Sequence, residues 1–362
     1  PIVIGWDNER INRAVIAQLH KGTVFSQMSP IEVEYAKMLK KHVPSAEKMR
    51  FLKTGSSATE AAIRIARAYT GKEIIIRGEY HGWHEWTAAG ERKRQGGILK
   101  SLKNYVIGFE YNDINQVEKI FSENKNKIAA LIVEPVMIEK PKENFLSDLK
   151  ELCEKNNALL IFDEVVTGFR FDIGGAQKYF NVTPHLSTFG KAMANGLPLS
   201  AVVGLKHIMD KVEDDIFIST TFGGETLSLA AGLEMLKMME EEPVTQKIWN
   251  TGNRIKKEFN EFTESINFSM KTIGYAPRIT FDFENDKLRE KYWLYKSIFM
   301  QECAKRGVLL GWLVMPCYTH TEADTDYTIE VFKESAQVIA EASESDNPEK
   351  YLEGKPTTSI LG

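Results

Sequence analysis

The sequence predicts an α/β fold built on a mostly parallel sheet, followed by a smaller α+β unit. Two observations carry this. Short runs rich in β-branched residues alternate with amphipathic stretches through the first two-thirds of the chain, and strand–helix–strand repetition sets parallel neighbours under a cover of helices. After Pro243 the alternation gives way to long charged helical patterns around a single strand-like run. Sheets of the first kind place their ligands beyond the carboxyl ends of their strands.

Strands are expected at Glu73 to Arg77, Ile128 to Glu134, Ala158 to Asp163 and Ala201 to Leu205. The stretch Lys53 to Glu60 opens a helix pattern that ends near Tyr69, and the spacing of apolar residues predicts helices over Ile114 to Glu123 and over Ser147 to Lys155. Beyond Pro243 a helix is expected over Gln246 to Glu264, a strand over Arg278 to Phe283 and a helix over Lys287 to Lys305. The expected organisation is an amino-terminal segment (1–42), a large domain (43–240), a small domain (241–342) and a loosely held polar tail (343–362). The chain starts at Pro1 and runs straight into Ile2-Val3-Ile4, so it reads as a fragment whose first part is missing.

The 362 residues carry a net charge of only -4, with 43% hydrophobic and 27% charged side chains. No basic stripe suited to nucleic acid appears, and no apolar run approaches the roughly 18 residues of a membrane span. Cys153, Cys303 and Cys317 form no C-x-x-C pair, which suits the reducing cytoplasm and small buried hydrophobes.

Four stretches carry chemistry. Lys53-Thr54-Gly55-Ser56-Ser57-Ala58-Thr59-Glu60 opens a helix with a glycine and hydroxyls beside unpaired N–H groups, an arrangement that cradles a phosphate or simply caps the helix through Thr54 or Ser56. Ala158 to Phe162 make a buried strand that ends in Asp163-Glu164. An acid there needs a cationic partner, either a protonated heterocycle or a neighbour such as Arg170. In Ser187-Thr188-Phe189-Gly190-Lys191-Ala192-Met193-Ala194-Asn195-Gly196 a lysine follows a short strand among small and apolar neighbours. It is either an amine nucleophile or a solvated surface group. Ser219-Thr220-Thr221-Phe222-Gly223-Gly224-Glu225 reads as a second anion-binding turn or a linker.

His81 and His84 have H-x-x-H spacing but no further ligands in pattern, so no metal site is assigned. No strand is followed by G-x-G-x-x-G, which removes the ordinary nicotinamide reading. The methionines of Glu234 to Met239 have helical spacing and read as core.

Taken together, Tyr80-His81-Gly82, Glu134-Pro135-Val136, Asp163-Glu164-Val165-Val166-Thr167-Gly168-Phe169-Arg170, Phe189-Gly190-Lys191-Ala192 and Thr221-Phe222-Gly223-Gly224 resemble the class III aminotransferases. These are fold-type I pyridoxal-phosphate enzymes, and the resemblance is to their glutamate-1-semialdehyde aminomutase-like branch, over nearly the whole chain. It implies that Lys191 holds pyridoxal 5'-phosphate as a Schiff base and then shuttles the substrate proton. Asp163 would keep the ring nitrogen protonated, with Val165 and Tyr80 on the two ring faces and His81 beside the cofactor. Gly55, Ser56 and Ser57 would hold the phosphate and Glu134 would lie near the substrate amine. Thr221 would come from the partner subunit of a homodimer.

Several positions depart from the family. Ser57 replaces an acid, Trp83 follows Tyr80-His81-Gly82 in place of histidine, and Met137-Ile138-Glu139-Lys140 replaces a glycine-containing loop. Gly311-Trp312-Leu313 stands where aminomutases carry Phe-Glu-Ala, ahead of His320-Thr321. These departures favour a ping-pong aminotransferase that acts with a small-molecule amino donor and another carbonyl acceptor. Such text resembles enzymes of modified-sugar and surface-polysaccharide pathways. The rivals are the intramolecular aminomutase reaction and a cofactor-binding protein without turnover.

Overall fold

In the computed structural model, which describes residues 2–90 and 95–358, seven strands form one sheet. They are β1 (Lys48–Leu52), β2 (Ile74–Arg77), β3 (Val106–Gly108), β4 (Ile128–Val133), β5 (Leu159–Asp163), β6 (Leu186–Phe189) and β7 (Ser200–Gly204), in the order β1-β7-β6-β5-β4-β2-β3. From β3 to β6 every pairing is parallel. The pairings of β7 with β6 and of β1 with β7 are antiparallel. The chain between Phe189 and Ser200 is too short for a crossover, so β7 must return antiparallel. Two reversals bring β1 back into the direction of β6. The carboxyl ends of β1, β4, β5 and β6 and the start of β7 therefore share one edge.

Side-chain alternation assigns the two faces. Ala130 and Ile132 of β4 and Leu159 and Ile161 of β5 pack with Ala58, Ala62, Ile65 and Ala66 of helix α3 (Gly55–Thr70). Leu131, Val133, Leu160 and Phe162 pack on the opposite face with Val117, Phe121, Phe145 and Leu149 from the helices Ile114–Glu123 and Phe145–Lys155. Small residues on α3 let it lie close to the sheet. Glu134 and Asp163 continue the parity of Ile132 and Ile161, so the pleat directs both acids to the α3 side.

Two further helices precede β1. α1 (Glu9–Leu19) is capped by Asn8 and α2 (Pro30–His42) opens with a proline. Both pack on the helix Thr226–Glu241. All of these belong to a unit made of the residues up to Met137 and Pro141–Thr245.

A second unit takes Ile138–Lys140 and residues 246–358. Its antiparallel strands β8 (Met270–Tyr275), β9 (Arg278–Phe283) and β10 (Leu313–Val314) lie in the order β10-β9-β8. Phe259, Phe281, Phe299, Trp312 and Phe332 fill its core, with the rings of Phe281 and Phe299 4.7 Å apart.

The helix over Ile114–Glu123 and the strand over Arg278–Phe283 have the bounds expected from sequence. Elsewhere the structure differs. The helix expected over Lys287 to Lys305 is two helices, Asp286–Glu290 and Tyr292–Lys305, separated at Lys291. The tail expected to be loose is held. The helix Glu322–Glu344 extends past its start, Tyr351 O accepts from Gln301 Nε2 (2.8 Å), and Thr357 N donates to Ser297 Oγ (2.8 Å). Polar composition suggested solvation, but these polar groups find partners within the same unit. The last four residues of that tail lie outside the described residues. Among the described residues no helix is long and apolar enough to cross a membrane.

Candidate active site

Asp163 ends β5 almost fully buried. Its Oδ2 lies 2.8 Å from His81 Nδ1. Its Oδ1 accepts from Val165 N (3.1 Å) and from Thr188 Oγ1 (3.2 Å), Thr188 being its register partner on β6. Burial alone would raise the pKa of this carboxyl. The His81 hydrogen bond and charge, the Val165 amide and the charge of Lys191 outweigh it and hold the group below the usual carboxylate range. An ionised carboxylate accepts, so His81 carries its proton on Nδ1. Its Nε2 is then left buried with no hydrogen-bond partner among the described residues. Arg170 is not the partner of Asp163; it donates from Nη2 to Ile2 O at 2.9 Å.

Lys191 follows β6 and Gly190 and opens a short 3-10 turn, Lys191–Ala194. Its φ is +44°, a left-handed value uncommon for a residue with a β-carbon. The turn is held from beneath, where the Tyr35 hydroxyl donates to Met193 O (2.7 Å). In the single chain the Lys191 side chain is exposed.

The start of α3 meets this edge. Thr54 caps the helix by accepting from Ser57 N (3.1 Å), and its Oγ1 lies 2.8 Å from Ser57 Oγ. Ser200, at the start of β7, donates from Oγ to Thr54 O (2.8 Å). Ser56 Oγ accepts from Trp83 N (3.3 Å). A Cβ on Gly55 would stand 2.9 Å from Val165 Cγ1, and one on Gly82, whose φ is +104°, would stand 2.4 Å from Ser56 Oγ. Both glycines are thus required by close approach. Val165 is also the neighbour of Gly190, so Gly55, Val165 and Gly190 converge between Ser56 and Lys191.

Around this centre Tyr80 and Trp83 are exposed, at 47% and 76%. His84 faces Glu60, 3.5 Å away, so the two histidines of the H-x-x-H pattern take separate acids. Glu134 follows β4 and is buried. Thr221 is exposed, in a loop whose Glu225 caps the helix Thr226–Glu241 and pairs with Lys53 at 3.1 Å. Geometry therefore groups Gly55, Ser56, His81, Asp163, Val165 and Lys191 directly, whereas Tyr80, Ser57, Glu134 and Thr221 are linked to the group by chain position.

Two supporting residues escaped the sequence reading. Thr188 is a buried hydroxyl inside an apolar strand, and that anomaly was the available signal. Glu164 was noted only as a second acid. Its Oε2 accepts from Thr167 Oγ1 and Ala176 N, and its Oε1 from Gln177 N and Nε2, at 2.6 to 3.1 Å. Burial pushes its pKa up in spite of these donors, and it serves to pin the loop after β5.

A phosphorylated pyridine fits this donor set. A helix start with hydroxyls suits a phosphate, an ionised buried acid suits a protonated ring nitrogen, and glycines leave room where a Cβ would intrude.

Comparison with known proteins agrees. Residues 1–335 match the family model of the class-III aminotransferases. The chain is 36% identical over 351 residues to a 3-aminobutyryl-CoA aminotransferase of Cloacimonas acidaminovorans, covering 92% of this chain and 82% of the relative. It is 36% identical over 370 residues to a glutamate-1-semialdehyde 2,1-aminomutase of Sulfolobus acidocaldarius, covering 94% and 87%. The FumI protein of Sphingopyxis sp. MTA144, solved in its PLP internal aldimine form, superposes with a TM-score of 0.89 at 26% identity over 97% of this chain and 85% of that one. The acid-ended parallel strands, the lysine turn and the glycine-lined helix start thus belong to an enzyme of the class-III aminotransferase family, of PLP fold-type I, whose cofactor is pyridoxal phosphate.

Proposed function

We propose that this chain is an aminotransferase that works in two half-reactions, taking an amino group from a small donor and passing it to an aldehyde or ketone. The observation that carries the reading is the buried Asp163 at the end of β5, held by His81 and Thr188, beside the lysine turn at the end of the neighbouring β6. Pyridoxal phosphate, when bound, supplies an electron sink for the charge that develops at the substrate carbon.

In this reading Lys191 is the covalent anchor of the cofactor, and its Nζ carries the proton from and to the substrate carbon after release. Asp163 holds a proton on the ring nitrogen, and His81 and Thr188 hold Asp163. Val165 and Tyr80 flank the ring. Gly55, Ser56 and Ser57 receive the phosphate at the start of α3. Glu134 orients the substrate amine, and Thr221 completes the site of a second copy in a homodimer.

The reacting amine is proposed to lie away from the α-carbon of an ordinary amino acid. Support comes from the first relative, named for an amine on carbon 3 of an acyl-CoA. Exposed Trp83 replaces the family's histidine and offers a broad face to a bulky acceptor, such as an acyl thioester or the modified sugars expected from sequence. The second reading, intramolecular amino transfer, is favoured by the equal identity to the aminomutase.

The test is the visible absorption of the protein with pyridoxal phosphate beside a Lys191→Ala variant. A borohydride-sensitive band in the wild type alone, with cofactor mass on the Lys191 peptide, supports the assignment. Equal spectra overturn it. Glutamate-1-semialdehyde supplied alone separates the two reactions, since 5-aminolevulinate forms without a second substrate only by the intramolecular route.

A further inference from the structure

We infer that Asn195 is a positioning residue for Lys191, acting by clamping the amino-terminal segment 2–5 against the lysine turn. This rests on the assignment of Lys191 above. Asn195 closes the turn Lys191–Ala194 in a left-handed conformation, φ 45° and ψ 42°, and its amide N–H donates to Ala192 O at 2.9 Å. The carboxamide faces the other way. Its Oδ1 accepts from Val3 N (3.2 Å) and Ile4 N (2.9 Å), and its Nδ2 donates to Gly5 O (2.9 Å).

Each of these bonds spans at least 190 residues of sequence and lies in the interior, where Val3 and Ile4 are fully covered. Water cannot compete there, so each is worth more than a surface bond and costly to leave unmade. The clamp is reinforced on both sides. Arg170 donates to Ile2 O, and Ile2 lies against Gly196.

The lysine turn needs such support. Lys191 and Asn195 both have positive φ, and a 3-10 turn of four residues has poor hydrogen bonding of its own. Left-handed backbone at a residue with a β-carbon persists only where the surroundings over-determine it. Two external grips are present: Tyr35 on Met193 O and Asn195 on the amino-terminal segment. The first holds the middle of the turn, and the second fixes its exit and, through it, the direction in which Lys191 is presented.

Two substitutions separate backbone from clamp. Asn195→Gly keeps the left-handed conformation accessible and removes the carboxamide, whereas Asn195→Ala removes both. For holoenzyme of each, the covalent capture of pyridoxal phosphate is followed by absorbance and by borohydride trapping on Lys191. The pH midpoint of the visible band, kcat and KM are measured beside these. Expected for both is capture and kcat slowed about tenfold to a hundredfold, a displaced midpoint and an unchanged KM for the donor. The inference is overturned if Asn195→Gly folds with a lowered melting temperature but wild-type capture rate, midpoint and kcat, because the clamp then serves stability alone. A failure of the Lys191 assignment would look different, since wild-type protein would then show no trapped cofactor on Lys191.

Discussion

His81 Nδ1 meets Asp163 Oδ2 at 2.8 Å across 82 residues of sequence, with both side chains in the interior. The imidazole does for the acid what burial opposes, keeping it charged. A depressed acid pKa contributes stability that is present above the unfolded value and lost as pH falls through the folded value. In His81→Ala the burial penalty goes unopposed by its largest partner. The melting temperature should therefore fall most above the usual carboxyl range, with the difference from wild type shrinking as pH drops through it, while cofactor retention fails from a higher pH than in the wild type. A pH profile parallel to that of the wild type would show that Val165 and Thr188 suffice.

Gly55 and Val165 touch so closely that a single methyl decides the site. Gly55→Ala should cost about 1 to 3 kcal/mol of stability and weaken cofactor binding roughly tenfold. Val165→Ala in the same chain removes the two methyls that a Cβ at residue 55 would meet, so the double variant should recover much of the loss. Additive losses in equilibrium unfolding and cofactor titration would argue against this contact.

Glu164 anchors the loop after β5 through four donors. Glu164→Gln turns one acceptor oxygen into a donor that faces other donors. Denaturant unfolding should show a loss of about 2 to 3 kcal/mol. The raised pKa of Glu164 makes its contribution largest below the unfolded carboxyl pKa and smaller as pH rises through the folded one. The cost of the substitution should therefore be measured on both sides of that range.

Thr221 can be tested by mixing chains. If it serves the partner's site, coexpressed Lys191→Ala and Thr221→Ala chains form some dimers with one intact site. Random pairing then restores about a quarter of wild-type activity. If Thr221 acts within its own chain, mixing restores nothing beyond the sum of the two variants.

What the sequence determined by itself was local and periodic. Five apolar residues ending in Asp163 place an acid at a buried strand end, and the spacing over Ile114–Glu123 sets that helix to its bounds. Each follows from a two-residue or 3.6-residue repeat and a terminating side chain. The tertiary structure decided the rest. His81 rather than Arg170 faces Asp163, β1 and β7 turn antiparallel at the sheet edge, Val165 presses on Gly55, and Asn195 grips Val3 and Ile4. These join residues far apart in the chain, and such contacts leave no periodic trace in either partner. The left-handed turn at Lys191 belongs here too: its conformation is unfavourable locally and stands because the packed surroundings hold it.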